Sequence, residues 1–309
     1  MKEIKNILII GLGAIGSVYA TQFHDFDSNC VKILLDESRY KKYSENGVVV
    51  NGKKHDFSYI LNTDTNYKAD LILIATKSPD FEQASDMIKN FVKEDTIIMS
   101  LLNGISSEEI LFKKYGEQKV LYSYFIGCAV MRSGLETNFD RMGTLVFGEA
   151  QNKEYSQNVK RVKDLFDKVG IVYQIHEDML TSLWKKFIIN IGINQTSAAL
   201  HAPYSVLQKS KHARKVAKDL MQEAVKIADK IGIHGGESFI QAAFDLIDTM
   251  PSELKPSMLQ DVDNKKETEV DIFAGEVCKL GKKYNIQTPK NELVLDIIKS
   301  IDERILLNS

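Results

Sequence analysis

Apolar residues gather in short runs along the first half of the chain. Candidates for strands are Ile7–Ile10, Val31–Leu35, Leu71–Ala75, Thr96–Ser100 and Lys119–Tyr124. Short runs of this kind predict buried strands, and helical patterns or loops separate them. Alternation of strand and helix predicts a mostly parallel sheet with right-handed crossovers. Val48–Val50 and Phe57–Leu61 read as a small hairpin beside the second crossover. After Gly127 come shorter, turn-rich strands around Ala129–Met131 and Leu145–Phe147. These are expected to extend the sheet in antiparallel fashion.

Near Tyr173–His176 the pattern changes to helical periods. The expected helices are Asp178–Leu200, Ala213–Gly232, Ser238–Met250, Ser257–Tyr284 and Lys290–Leu306. Gly235-Gly236, Pro251, Pro256 and Pro289 punctuate the joints. The expected architecture is α/β: a Rossmann-type domain of alternating strands and helices over residues 1–175, then an all-α domain over 176–309. A cleft between two such domains is the natural substrate site.

The first strand opens directly into Gly11, Leu12, Gly13, Ala14, Ile15, Gly16 and Ser17, a G-x-G-x-x-G pattern followed by a helical run. Gly11 permits the tight turn. Gly13 lets the backbone approach a pyrophosphate. Gly16 lets the helix pack closely on the strand, and the helix N-terminus offers N–H groups to negative charge. The motif alone is weak, but its place between strand and helix is the confirming context.

Composition narrows the classes. The chain has 309 residues, 44% hydrophobic and 27% charged, as expected of a protein with real cores. A net charge of −2 gives no basic field for nucleic acid or an anionic membrane. Cys30, Cys128 and Cys278 are odd in number and far apart, which argues for reduced thiols in the cytoplasm. The first strand starts too early to leave room for a signal peptide, and no 18-residue apolar run predicts a membrane span. The six histidines are isolated, and His176-Glu177 lacks a second histidine at zinc-helix spacing, so no metal is expected.

Several polar groups stand out. Lys186, Asn190 and Asn194 fall at i, i+4 and i+8 among isoleucines, on one helix face. Such a stripe needs partners; it is either functional or bonded to neighbouring backbone. Lys185 is the expected exposed lysine. Ser257, with Gln260 three residues on, reads as a helix N-cap in a capping box, and the same hydroxyl could seat a carboxylate. Glu267, Glu269 and Asp271 read locally as a solvated helix face or helix start. Lys77 and Asn103 follow two strand ends, where ligands of open α/β sheets bind, although Asn103-Gly104 is also a good turn.

Together these marks resemble the ketopantoate (2-dehydropantoate) reductases and their relatives, the D-2-hydroxyacid dehydrogenases of the same fold. The marks are G-L-G-A-I-G-S at 11–17, T-K at 76–77, N-G at 103–104, W-K-K-F-I-I-N-I-G-I-N at 184–194, P-S-M-L-Q-D at 256–261 and T-E-V-D at 268–271. They run in family order across essentially the full length. The resemblance implies that Lys186 acts as general acid toward a substrate carbonyl oxygen. It implies that Glu269 hydrogen-bonds the substrate oxygen, close to the cofactor. Asn190 and Asn194 would hold substrate polar groups, and Ser257 the substrate carboxylate. Lys77 and Asn103 would lie near the nicotinamide, with Asn103 also touching substrate. The resemblance also implies that residues 1–175 bind the dinucleotide, that the helical domain over 176–309 carries substrate contacts and dimerisation, and that the protein is a homodimer.

Two positions depart from the family pattern. Asp36 stands at the end of the second predicted strand, where ketopantoate reductases commonly carry an arginine for the NADP 2′-phosphate. An acid there suits a ribose hydroxyl and favours NAD over NADP, although Arg39, Lys41 and Lys42 lie close in sequence. Leu254 stands where many relatives have an asparagine, which suggests a more apolar acceptor pocket. The expected activity is NAD(P)H-dependent reduction of a 2-keto acid to an (R)-2-hydroxy acid, with ketopantoate to pantoate first. The alternatives are a D-2-hydroxyacid dehydrogenase for other branched or aromatic 2-keto acids, and a catalytically inactive nucleotide-binding sensor.

Overall fold

In the computed structural model, residues 2–127 and 129–307 are described. Cys128 therefore lies outside the described residues. The chain divides into two compact units: residues 1–103 with 107–179, and residues 104–106 with 180–309.

The first unit runs β1 (Ile7–Ile10), α1 (Ala14–Phe26), β2 (Val31–Leu35), α2 (Glu37–Asn46), β3 (Val48–Val50), β4 (Lys53–His55), β5 (Tyr59–Leu61), β6 (Leu71–Ile74), α3 (Phe81–Met87), β7 (Ile97–Ser100), α4 (Ser107–Tyr115), β8 (Val120–Ile126), β9 (Ala129–Ser133), β10 (Glu136–Arg141), β11 (Thr144–Gly148), α5 (Gln157–Val169) and β12 (Tyr173–Gln174). Its main sheet has the order β12-β11-β8-β7-β6-β1-β2-β5. From β5 to β8 all neighbours are parallel.

The runs Ile7–Ile10 and Leu71–Ile74 are apolar at every position because both faces of the sheet are covered. Alternate residues go to opposite sides. Ile7, Ile9, Leu71 and Leu73 join one core with Tyr19 and Phe23 of α1 and Val162 and Phe166 of α5. Leu8, Ile10, Ile72 and Ile74 join the other with Phe81 and Ala84 of α3 and Leu111 of α4. The result is the three-layered, doubly covered sheet of a Rossmann domain.

Two expectations about the smaller strands need correction. Val48–Val50 does form a hairpin, but its partner is β4, not Phe57–Leu61. Asn51 (φ 48°) and Gly52 (φ 75°) make the two-residue turn between them, and an Asn-Gly pair is the sequence mark of such a turn. Tyr59–Leu61 instead pairs parallel with β2 as the sheet edge. Ala129–Met131 likewise does not extend the main sheet. It lies in β9, which joins a second sheet of order β4-β3-β10-β9. β11 continues the main sheet antiparallel to β8, and β12 follows it parallel to β11.

The second unit is helical: α6 (Met179–Leu200), α7 (Tyr204–Lys209), α8 (Lys211–Lys230), α9 (Gly236–Thr249), α10 (Ser257–Asp263), a π-helical turn at Asp271–Gly275, α11 (Glu276–Tyr284) and α12 (Pro289–Leu307). Phe187, Ile188 and Ile191 of α6 pack with Leu220, Met221 and Ala224 of α8. A Cβ on Gly192 would lie 2.6 Å from the Met221 sulfur, so glycine lets these helices approach. Buried Glu223 accepts hydrogen bonds from the backbone N–H groups of Lys290 (2.9 Å) and Asn291 (3.0 Å) at the start of α12. A carboxylate there satisfies donors that the helix cannot.

The single helix expected over Ser257–Tyr284 is broken. Lys265 turns at φ 53°, and residues 264–269 leave the helical path before the π turn. No glycine or proline marks this break. Tertiary hydrogen bonds hold it, as described below. Cys30 and Cys278 are free and buried. Among the described residues, no helix is long and apolar enough to cross a membrane.

Candidate active site

The glycine loop joins β1 to α1. Gly11 has φ 98°, and a Cβ there would fall 2.6 Å from the Ala75 carbonyl. A Cβ on Gly16 would fall 1.8 Å from the Gly11 oxygen. Both glycines are therefore demanded by the protein's own packing. Gly13 is different. Its added Cβ would meet only the Ala75 oxygen, at an ordinary 3.6 Å. The protein has room for a methyl group there, so its own packing does not demand this glycine. Gly13 is the N-cap of α1 and makes no side-chain cap bond. The first N–H groups of α1, at Ala14, Ile15 and Gly16, lack acceptors within the helix. Leu12 is buried beneath the turn. This loop fits a dinucleotide pyrophosphate.

Arg132 of β9 supports the loop from behind. It donates to Ser17 Oγ (2.8 Å), to Thr137 Oγ1 (3.2 Å), to the Gly13 carbonyl (3.4 Å) and to the Tyr43 hydroxyl (3.4 Å). Burial pulls its guanidinium below the usual arginine value, partly offset by Tyr43. Sequence reasoning missed this residue. Nothing in the local pattern of β9 marks it, because its partners are distant in sequence.

The parallel strands place the other cofactor candidates at one edge of the sheet, beyond their carboxyl ends. Asp36 follows β2, Lys77 follows β6 and Asn103 follows β7. Asp36 also N-caps α2, accepting the Arg39 N–H at 2.7 Å. The Arg39 guanidinium lies 3.4 Å from Asp36 and 3.0 Å from Asp80. Two carboxylates thus share one cation at the end of β2. Lys77 is exposed, and Asn103 is half-buried.

In the helical unit, Lys186, Asn190 and Asn194 lie on successive turns of α6. Lys186 is half-buried and Lys185 exposed, as their spacing predicts. Asn194 Nδ2 donates to Asn190 Oδ1 (3.2 Å). Ser257 Oγ (3.1 Å) and the Met258 N–H (3.4 Å) donate to Asn194 Oδ1. Asn190 and Asn194 of α6 and the start of α10 therefore form one hydrogen-bonded chain. Ser257 does not cap α10, contrary to the capping-box reading. Pro256 occupies the N-cap, and Ser257 is the first helical residue. With its hydroxyl turned to Asn194, the serine leaves that cap unmade.

Glu269 sits in the break between α10 and the π turn and is half-buried. Its carbonyl accepts the Ile272 N–H at 3.2 Å. The preceding residue, Thr268, is buried and bonded to Asp302 of α12. Sequence reasoning did not single out Asp302, because it is distant from Thr268 in the chain and resembles any exposed acid of a C-terminal helix.

Comparison with known proteins identifies the family. Residues 7–152 match the family model "Ketopantoate reductase PanE/ApbA", and residues 178–302 match "Ketopantoate reductase PanE/ApbA C terminal". The chain belongs to the ketopantoate reductase family. Among family relatives, the 2-dehydropantoate 2-reductase of Aquifex aeolicus is 26% identical over 307 residues, covering 96% of this chain and 97% of its own. The fold of a ternary structure of D-mandelate dehydrogenase with NADH and anilino(oxo)acetate superposes with a TM-score of 0.86 at 23% identity, covering 97% and 99% of the two chains. A dimeric ketopantoate reductase from Staphylococcus aureus superposes with a TM-score of 0.76 at 16% identity, over 97% and 99%.

Proposed function

We propose that this chain reduces a 2-keto acid to the (R)-2-hydroxy acid with NADH or NADPH, and that ketopantoate, giving pantoate, is the first substrate to test. The observation that carries this reading is the hydrogen-bonded chain Asn190–Asn194–Ser257, on the same helix face as Lys186. Membership of the ketopantoate reductase family supports it.

When bound, the dinucleotide supplies a hydride to the carbonyl carbon. The rest falls to the protein. The glycine loop and the N-terminus of α1 take the pyrophosphate, with Arg132 holding the loop. Asp36 takes the adenosine ribose; Lys77 and Asn103 serve the nicotinamide end. On substrate binding the Ser257 hydroxyl turns its one hydrogen from Asn194 Oδ1 to the substrate carboxylate, Asn194 Oδ1 keeps the Met258 N–H, and the Asn190 and Asn194 amides hold the substrate's other polar groups. Lys186 stabilises the alkoxide that forms on the carbonyl oxygen and gives it a proton. Once that oxygen carries the proton, Glu269 accepts a hydrogen bond from the new hydroxyl. A homodimer is the working assembly, by likeness to the dimeric ketopantoate reductase from Staphylococcus aureus. The two free, buried thiols suit a cytoplasmic setting.

A second reading is a D-2-hydroxyacid dehydrogenase for branched or aromatic 2-keto acids. Leu254, 47% exposed, and Asp36 at the end of β2 favour it. The D-mandelate dehydrogenase likeness adds only the fold. The test is steady-state kinetics on ketopantoate, 2-ketoisovalerate, phenylglyoxylate and pyruvate with each dinucleotide. Ketopantoate is expected to give the highest kcat/KM. A higher value on phenylglyoxylate selects the second reading, and no turnover on any of them overturns both.

A further inference from the structure

The six histidines are scattered in sequence, yet the fold brings two of them together. His24 lies in the last turn of α1, next to Asp25, and His55 ends β4. One donor atom from each of His24, Asp25 and His55 lies within 4.8 Å of the other two. Nδ1 of His24 and Nδ1 of His55 are both buried without a hydrogen-bond partner. Each is 3.9 Å from the same carboxylate oxygen, Asp25 Oδ1, beyond hydrogen-bonding reach. His55 is only 2% exposed. A buried imidazole nitrogen left unpaired is costly, and here two converge on one acid.

The rings are held in place. Phe57 stacks on His55 at 5.4 Å and meets His24 edge-on at 5.3 Å. The two imidazoles are 5.6 Å apart, edge to face. Lys53 Nζ already rests 3.0 Å from Asp25 Oδ1, so this acceptor attracts a cation.

We infer that His24, Asp25 and His55 form a binding site for a divalent transition cation of the zinc type. Two imidazole nitrogens and one carboxylate oxygen are the donors such an ion prefers, with water completing a tetrahedron. Donors around tetrahedral zinc stand about 3.3 Å apart, so these atoms must draw together by up to roughly 1.5 Å. Asp25 is exposed and has room to turn. The end of α1 is its negative pole, which favours a cation. The nearby Cys30 is no competitor: burial pushes its thiol up to about 11, and it donates to the Phe23 carbonyl. The ion clasps the last turn of α1 to the second sheet, at the opposite end of α1 from the glycine loop. Its role is therefore structural, independent of the proposed reaction.

The test uses the full-length, untagged protein, stripped by a chelator. Zn²⁺ is titrated by calorimetry and Co²⁺ by visible absorption. The expected result is one equivalent of Zn²⁺, the intense visible bands of tetrahedral Co²⁺, and a Tm that rises with Zn²⁺ concentration. Since His55 is buried, the decisive variants are His24→Ala and Asp25→Asn. His24→Ala should abolish the Co²⁺ bands, and Asp25→Asn should weaken Zn²⁺ binding at least about tenfold. Lys53→Ala should tighten it about two- to fivefold by removing the competing ammonium. A wild-type protein that takes up no Zn²⁺ overturns the proposal. So does uptake that is unchanged in both His24→Ala and Asp25→Asn.

Discussion

Asp302 of α12 accepts two hydrogen bonds from one residue, Thr268: the backbone N–H at 3.2 Å and the hydroxyl at 2.7 Å. Thr268 is buried and directly precedes Glu269. The C-terminal helix thereby fixes the backbone from which the proposed substrate-contacting glutamate projects. Irregular turns of the π type recur at functional sites, and this one begins two residues after Glu269.

Asp302→Ala should leave both Thr268 donors buried without their acceptor, costing about 1–3 kcal/mol of stability. It should also lower kcat by roughly tenfold to a hundredfold through misplacement of Glu269. Asp302→Asn keeps one acceptor oxygen and should recover part of kcat. Thermal melts and steady-state kinetics check both. A purely structural Asp302 would lower Tm without changing kcat at a temperature where the variant is folded.

The three loop glycines should separate into two kinds. Gly11→Ala and Gly16→Ala meet backbone atoms and should unfold or strongly destabilise the first unit. Gly13→Ala meets only an ordinary contact, so stability should change by less than about 1 kcal/mol. Its dinucleotide affinity should fall by at least about tenfold, since the new methyl intrudes on the ligand. Melting curves with and without NADH read both effects.

Lys186→Ala should reduce kcat by about 10²–10⁴ while dinucleotide binding survives, because its charge is needed mainly as the oxyanion forms. Single-turnover kinetics and cofactor fluorescence titration distinguish the two steps. Near-normal kcat would remove Lys186 from its assigned role.

Asn194→Ala should be more damaging than Ser257→Ala. Asn194 Oδ1 receives both the Ser257 hydroxyl and the Met258 N–H, so its loss releases the whole start of α10. Ser257→Ala should mainly raise KM for the keto acid, since a carboxylate contact exists in ground and transition states alike. Because Pro256 rather than Ser257 is the N-cap, Ser257→Ala should carry no capping penalty. A drop in Tm with unchanged KM would contradict the assignment.

Cofactor preference should follow the charges at the end of β2. Arg39 is shared between Asp36 and Asp80, leaving net negative charge where a 2′-phosphate would arrive. NADH should therefore give the higher kcat/KM. Asp36→Asn retains a capping oxygen for the Arg39 N–H, removes the charge, and should narrow the gap at little cost in stability. Asp36→Arg should move the ratio further but lose the cap, about 1 kcal/mol. A wild-type preference for NADPH of about tenfold, roughly 1.4 kcal/mol, would refute this reading of the strand end.

The central strands are legible in the sequence because burial on both faces writes itself as unbroken apolar runs. Ile7–Ile10 is such a run, Val31–Leu35 departs from one only at Lys32, and both strands are found as expected. The polar stripe on α6 is legible for the opposite reason: amides among isoleucines require partners, and the structure supplies them for Asn190 and Asn194. What escapes depends on partners distant in sequence. The second sheet forms because Val49 and Val50 pair with Glu136 and Thr137, which no local pattern announces. The break before Glu269 has no glycine or proline and exists because Asp302 binds Thr268. Arg132 and the His24–His55 pair are visible only once separate elements meet.

The assignment of Gly104–Ser106 to the helical unit bears on how this protein can be taken apart. Ile105 packs with the helical core, although it lies between two stretches of the sheet-bearing unit. A fragment ending at Met179 would carry this tripeptide away from the core that shelters it, with an isoleucine turned out to water. The recombinable modules of this enzyme are thus not two contiguous segments. A chimera that exchanges the helical half for a relative's must also carry over residues 104–106, or accept a mismatched side chain beside the π turn, where Ile272 lies 3.4 Å from the place a Cβ on Gly104 would occupy.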